Sequence, residues 1–311
     1  MEITAAMVKE LREMTGAGVM ACKKALVETD GDYDKAIEVL REKGEATAVK
    51  KAGRIAAEGT VLAVVKEDKT AAIVEVNSET DFVAKNDKFR TYVANVAEQV
   101  LATNATDVEA FMDEKWMFDE SKTVKEELVS QIAVIGENMS IRRFVKINSD
   151  GVVVPYIHAG GRIGVLVEAD TTVINDEVKE CLKNVAMQIA ALNPKYTSRD
   201  EVSEDFIAHE KEILMAQIKN DPKEASKPEK VIEGMINGRI NKEMKEICLL
   251  DQVYVKAEDG KQTVANYVAE VAKATGSDLK IKGFVRYETG EGIEKKSENF
   301  AEEVAKQMNG N

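Results

Sequence analysis

Apolar residues recur at helical spacing through the first forty positions. Met7, Val8, Leu11 and Met14 share one side of a helix that Thr4 caps and Thr15-Gly16-Ala17-Gly18 breaks. Val19, Met20, Cys22 and Leu26 line a second helix, which Asp30-Gly31 ends. Asp32 opens a third, with Tyr33, Ala36, Ile37 and Leu40 on its apolar side and Gly44 expected as its stop. The Ala-rich stretch 45–58 reads as a partly helical linker. A three-helix bundle this short has a marginal core, so it is better suited to docking than to chemistry in its interior.

Beyond it the period switches to two. GTVLAVVKEDKTAAIVEV (59–76) reads as a hairpin turning near Asp68-Lys69, and GVVVPYIHAGGRIGVLVEA (151–169) as another turning at Gly160-Gly161. Each leads to an Asn-capped amphipathic helix, after Asn86 and after Asn175, an offset close to 90 residues. The next elements repeat at an offset of 140: Thr123-Val124 with Thr263-Val264, Gly136 with Gly276, and Ile141, Phe144 and Val145 with Ile281, Phe284 and Val285. A capping Thr, a helix, a Gly stop and a strand therefore occur twice. The growing offset places an insertion of about fifty residues between Arg199 and Leu250, where two apolar-striped helices flank a polar turn around Pro222 and Pro228. The expected class is α+β: a small three-helix domain (1–55), a first core subdomain (56–150), a second (151–287) carrying a helical arm (199–250), and a C-terminal tail (288–311). The arm is expected to project from the body rather than fold flat onto it.

Charge narrows the function classes. The 311 residues carry 43 Lys+Arg against 56 Asp+Glu, a net −13, and the first 55 balance at ten of each sign, so the excess lies entirely beyond them. An acidic body with 5% aromatics argues against phosphate gripping and base stacking. Cys22, Cys181 and Cys248 are odd in number and far apart, neither a disulfide framework nor a zinc site, as suits a reducing cytoplasm. No apolar run approaches the ~18 residues of a membrane span, and the amphipathic start lacks a signal-peptide core.

Motifs of catalysis are absent. Gly260-Lys261 lacks the rest of a phosphate loop, Gly160 to Gly164 lies inside a hairpin, and His209 is not in an HExxH pattern. No cofactor or metal is implied, and an interaction protein is favoured over an enzyme. The segment Val76 to Asn86 joins the first hairpin to its helix, and places Thr80, Asp81, Phe82 and Val83 at the junction. The matching place in the second unit, Asp170 to Val173, has no aromatic. Two readings stay open: Phe82 staples the helix entry while Asp81 caps it, or Phe82 is an exposed aromatic beside a carboxylate, built to enter a partner. Considered alone, His158 is an ordinary strand histidine, Arg142-Arg143 a solvated strand face, and Phe111 to Phe118 with Trp116 a packing patch.

Together these residues resemble the elongation factor Ts family, guanine-nucleotide exchange factors of the GTPase elongation factor Tu. The likeness rests on LREMTGAGVM (11–20) with CKKAL (22–26), TDFVAK (80–85), HAGGRIGVL (158–166) and GFVRYETGEGIEKK (283–296), in that order and nearly end to end. Ser78 stands where the family often has Cys, a small-for-small change. The resemblance implies a UBA-like N-terminal domain docking on the GTPase through Arg12 and Met20. It implies that Phe82, with Thr80, Asp81 and Val83, wedges near the partner's Mg²⁺ site, with Arg142 and His158 as weaker contacts. The partner is elongation factor Tu, with no direct nucleic-acid or membrane contact. Other classes remain: an arm-and-platform protein that sequesters a partner without exchange, and a hydrolase pairing Asp81 with a remote histidine.

Overall fold

The computed structural model describes residues 3–15 and 17–294; Gly16 and most of the expected C-terminal tail lie outside them. Three helices come first: α1 (Ala5–Thr15), α2 (Val19–Glu28) and α3 (Tyr33–Lys51). They share a small core of Val8, Leu11, Cys22, Ala25, Leu26 and Ala36. Met14, Val19 and Met20, assigned to apolar sides by spacing, are exposed instead. Gly44 does not stop α3, which continues a further seven residues to Lys51. It is buried there, where an added Cβ would meet Ala133 at 3.6 Å and Val129 at 3.8 Å on another helix. A close crossing, not a cap, is what this glycine serves.

The repeat organises the rest. Strands β1 (Glu58–Lys66) and β2 (Thr70–Ser78) form the first hairpin. A single helical turn, α4 (Asp81–Ala84), leads to α5 (Asp87–Ala102). Then come α6 (Val108–Asp113), a small ribbon of β3 (Lys115–Trp116) and β4 (Asp119–Thr123), helix α7 (Val124–Ile135) and strand β5 (Met139–Asn148), which pairs antiparallel with β2. Phe111 of α6 and Trp116 of β3 are buried against the first core, whereas Met117 and Phe118 are exposed, so only part of that cluster packs. The second unit repeats the plan with β6 (Val152–His158), β7 (Ile163–Asp170) and α8 (Asp176–Leu192). It then interposes α9 (Glu204–Asn220), the short α10 (Pro222–Ala225) and α11 (Glu229–Ile247), before closing with α12 (Val264–Thr275) and β8 (Lys280–Glu288).

The repeated capping signals act as the pattern predicts. Thr123 caps α7 in a full capping box with Glu126, and Thr263 caps α12. Gly136 (φ 87°) and Gly276 (φ 64°) end those helices in the left-handed region that a Cβ disfavours. Strand β2 buries nearly every residue, because both its faces are covered. Helices α5 and α7 cover one face of their sheet, and Val61, Ala63, Ala71 and Ile73 on the other meet Val153, Leu166 and Tyr287 of the second sheet. Helices α8 and α12 close the far side. Helices α9 and α11 pair with each other around a cluster of their own, including Ile218, Ile236, Ile240 and Met244. The molecule is thus a mixed α/β protein built on small antiparallel sheets.

Candidate functional site

The junction after β2 is pinned from two sides by acids. Thr80 donates its backbone N–H to one carboxylate oxygen of Glu137 at 3.0 Å and its hydroxyl to the other at 2.7 Å. Glu137 directly follows the left-handed Gly136 at the end of α7. In return Glu79 accepts the Asn138 N–H at 2.6 Å, and Arg54 approaches both its oxygens at 3.5 Å. The Thr80 hydroxyl also caps α4, accepting the Val83 N–H at 3.3 Å. The turn is therefore held by reciprocal side-chain bonds at both strand end and helix end.

On this base Phe82 is 81% exposed. Val83 packs inward on the first core, and Ala84 is buried beside Thr60 and Arg90, whose side chains donate to its carbonyl. The stapling reading of Phe82 and the capping reading of Asp81 are both overturned: Val83 faces the core, Thr80 caps α4, and Asn86 caps α5. Asp81 instead bonds Lys85 at 2.6 Å, and that hydrogen bond lowers its pKa. The apex thus presents an apolar ring beside a carboxylate that remains ionised at neutral pH.

The second unit keeps the clamp and lacks the apex. Thr172 donates its N–H and hydroxyl to Asp278, at 2.8 and 3.1 Å, just past Gly276. The chain from Thr172 to Asn175 is three residues shorter than from Thr80 to Asn86, and no helical turn forms. The extra residues of the first unit are what carry Phe82 outward.

The second hairpin turn lies alongside. Gly161, at φ 104°, accepts the Val61 N–H at 2.7 Å, and a Cβ there would run into Thr60, the residue that supports Ala84. A Cβ at Gly160 would come within 4.0 Å of the Arg90 guanidinium. His158, exposed at the end of β6, contacts the Tyr156 hydroxyl at 3.0 Å through Nδ1. The HAGGRIG motif is thus explained by close packing on β1 and brings His158's turn beside the α4 junction. Asp81 pairs with Lys85 and His158 with Tyr156, so no acid–histidine couple forms between them.

Arg142 and Arg143 are not a solvated strand face. A bulge opposite Glu75 aims both at that carboxylate, which is 0% exposed, at 3.0 and 2.6 Å. Asn77 and the Gly290 N–H also donate to Glu75, at 3.0 and 2.8 Å. Arg142 further bonds the Glu291 carbonyl. Burial works to raise the Glu75 pKa, but the donors together hold it below the ordinary value. The second unit repeats the bulge with Glu168 and Lys282, 2.9 Å apart. Sequence reasoning missed Glu75, Glu79 and Glu137. An acid close behind each glycine stop was visible at Glu137 and Asp278, and would have pointed to the clamp.

Arg12 and Met20 lie exposed on α1 and α2, in the three-helix segment. Among the described residues no cluster of His, Cys, Asp and Glu gathers to hold a metal. The three cysteines are buried, and burial pushes the Cys181 thiol up to about 11, so it carries no thiolate near neutrality. No helix among those residues is long and apolar enough to cross a membrane.

Comparison with known proteins agrees with the motifs. The family model described as Elongation factor TS matches residues 79–291, from the Glu79 clamp to the Glu291 contact. Elongation factor Ts of Clostridioides difficile (strain 630) is 53% identical over 307 residues, covering 98% of this chain and 99% of that protein. Those of Clostridium botulinum (strain Eklund 17B / Type B) and Clostridium tetani (strain Massachusetts / E88) are 54% and 52% identical, each over 308 residues with the same coverage. With a family model matched across most of its length and relatives this similar end to end, the chain belongs to the elongation factor Ts family.

Proposed function

We propose that the protein is the guanine-nucleotide exchange factor of elongation factor Tu in translation elongation, acting in the cytoplasm and using no covalent chemistry. The observation that carries this reading is Phe82, a large apolar side chain 81% exposed on a turn that Glu137 and Glu79 hold rigid. Exposing such a ring costs solvation free energy in the isolated protein, and a partner's pocket recovers it. A pre-formed wedge also loses little conformational entropy on docking.

In the GTPase, GDP is held by a phosphate-cradling loop and by Mg²⁺, which neutralises phosphate charge. Insertion of Phe82, with Thr80 and Val83 as its base and Asp81 beside it, disturbs the Mg²⁺ environment and weakens GDP. Coupling is reciprocal, so rebinding of nucleotide weakens the factor by the same free energy and releases it. His158 lies near enough to the junction to join the contact, whereas Arg142, committed to Glu75, supports the site from behind. The three-helix segment, residues 1–55, is read as a UBA-like domain offering Arg12 and Met20. Residues 56–150 and 151–287 are read as the two core subdomains, the second with a projecting arm at 199–250, followed by the tail from 288.

The test is release of fluorescent GDP from elongation factor Tu with and without the protein. Acceleration at substoichiometric factor is expected. Stable binding with an unchanged release rate would favour sequestration and sink the exchange reading.

A further inference from the structure

Helix α3 belongs to two cores. Ala36, with Tyr33, Ile37 and Leu40, packs into the three-helix cluster, while Ala48, three turns on, packs against the first sheet's core. The helix is unbroken over its 19 residues, about 28 Å, so no loop separates the three-helix segment from the body. It runs parallel to α7 in one register. Arg41 pairs with Glu126 at 3.0 Å, Gly44 crosses between Val129 and Ala133, and Lys51 donates to the Gly136 carbonyl. The far end of α7 is Gly136-Glu137-Asn138, the segment that clamps Thr80 and Glu79. One helix pair therefore carries Arg12 and Met20 at one end and Phe82 at the other.

We propose that the α3–α7 pair is a rigid strut that presents the three-helix surface and the Phe82 wedge to the partner as one body, with Gly44 as its positioning residue. This rests on the exchange reading above. Of the crossing residues, Gly44 limits the separation, because the space there takes a methyl group at ordinary contact distance and nothing larger. On one flank of the crossing the elements diverge, leaving a cleft of about 190 Å³ lined by Met14, Ile37, Leu40, Ser121 and Val129. The alignment thus depends on the packing of α3 on α7 around Gly44 and on the polar bonds that flank it. Two sites held at a fixed separation bind as an intramolecular pair, and that advantage is lost when their geometry is loosened.

Two kinds of variant test it. Gly44→Leu adds carbons where contact is already made at 3.6 Å, and forces the helices apart, whereas Gly44→Ala places its Cβ at ordinary contact distance. In GDP release titrations, Gly44→Leu is expected to raise the half-saturating factor concentration by about 10-fold or more, with the maximal rate changed less than about 2-fold. Gly44→Ala is expected to match wild type. Wild-type half-saturation in Gly44→Leu would overturn the strut.

The second test locks the crossing. A Cβ at 44 lies 3.6 Å from that of Ala133, within the span of a disulfide, so Gly44→Cys/Ala133→Cys is expected to cross-link under mild oxidation. The native cysteines are buried and spectators. If the resting alignment is the working one, the oxidised double variant keeps the wild-type half-saturation and maximal rate. Loss of exchange on oxidation, restored by dithiothreitol, would show that the segment must swing and would overturn the proposal. Should the wild-type protein itself fail to accelerate release, the exchange reading falls, and the strut is judged by the cross-link alone. Rapid and complete closure with an unchanged small-angle scattering profile supports it; slow or partial closure refutes it.

Discussion

Phe82 shows how far a single residue can be read without its surroundings. The TDFVAK motif and the absence of an aromatic twin mark it but leave core staple and exposed wedge equally open; in the fold Val83 faces the core while Thr80 and Asn86 cap the helices. Because Phe82 buries little in the free protein, Phe82→Ala is expected to change folding stability by less than about 0.5 kcal/mol. Its cost should fall on the partner. A central aromatic anchor is commonly worth about 2 kcal/mol, so the second-order exchange constant should drop roughly 30-fold. Circular dichroism and urea melts beside GDP release kinetics separate the two effects, and an unfolded variant would restore the staple. Glu137, by contrast, is marked in the sequence only by the recurrence of an acid behind each glycine stop. Its importance is geometric, set by a helix end and a strand end that lie 57 residues apart in the chain.

Among the elements, the repeat was the most legible feature, because capping chemistry is local. Thr123 and Thr263 start helices, and Gly136 and Gly276 stop them, by bonds to residues only a few positions away. Gly44 misled for the same reason. It follows an amphipathic run as a stop glycine does, but α3 continues past it because α7, some 85 residues further on, packs against it there. The inserted helices were legible from their apolar stripes, and their own cluster joins them more closely to each other than to the sheets. Removing 207–243 and closing α9 to α11 with a short Gly-Ser turn is therefore expected to leave the body folded. The cut keeps Cys248 and Leu249, which are buried at the base and pair with Tyr196. Loss of helical circular dichroism with a melting shift of no more than about 4 °C is the expected result; loss of cooperative melting would mean that the hairpin is part of the core.

At the scale of the whole molecule, Glu75 joins parts that the sequence keeps far apart. Its carboxylate gathers two arginines from β5 and the Gly290 N–H from the segment after β8, while Thr289 binds back to Gly161 and Arg162 at the second hairpin turn. The end of the second unit is thereby fastened across the first. Glu75→Gln removes the charge, leaves Arg142 without its carboxylate partner and leaves Arg143 with the Glu291 carboxylate alone, at 3.2 Å. Breaking a fully enclosed pair costs about 3–5 kcal/mol, and the partial exposure of both arginines reduces that to roughly 2–4. The pH dependence follows from the lowered pKa. The stabilisation is complete above the ordinary carboxylate value near 4.5 and is lost as pH falls through the lower folded value. Urea midpoints of wild type and Glu75→Gln should therefore differ most near neutrality and converge in acid. A gap that widened as pH fell would contradict the assignment.

The chain alone determined what depends on near neighbours and period: helices and hairpins, their caps, the duplication and its insertion, and the motif around Phe82. It also bounded the chemistry, since an acidic chain with two histidines and scattered cysteines offers few catalytic or metal-binding sets. The tertiary structure decided what depends on distance across the fold: that Phe82 faces solvent, that Arg142 is an internal tie, that Gly44 is a crossing, and that Glu137 is a clamp. Hydrophobic period is written into every few residues, whereas ion pairs and close helix approaches are made between residues tens to hundreds of positions apart, and only packing of the whole chain brings those together.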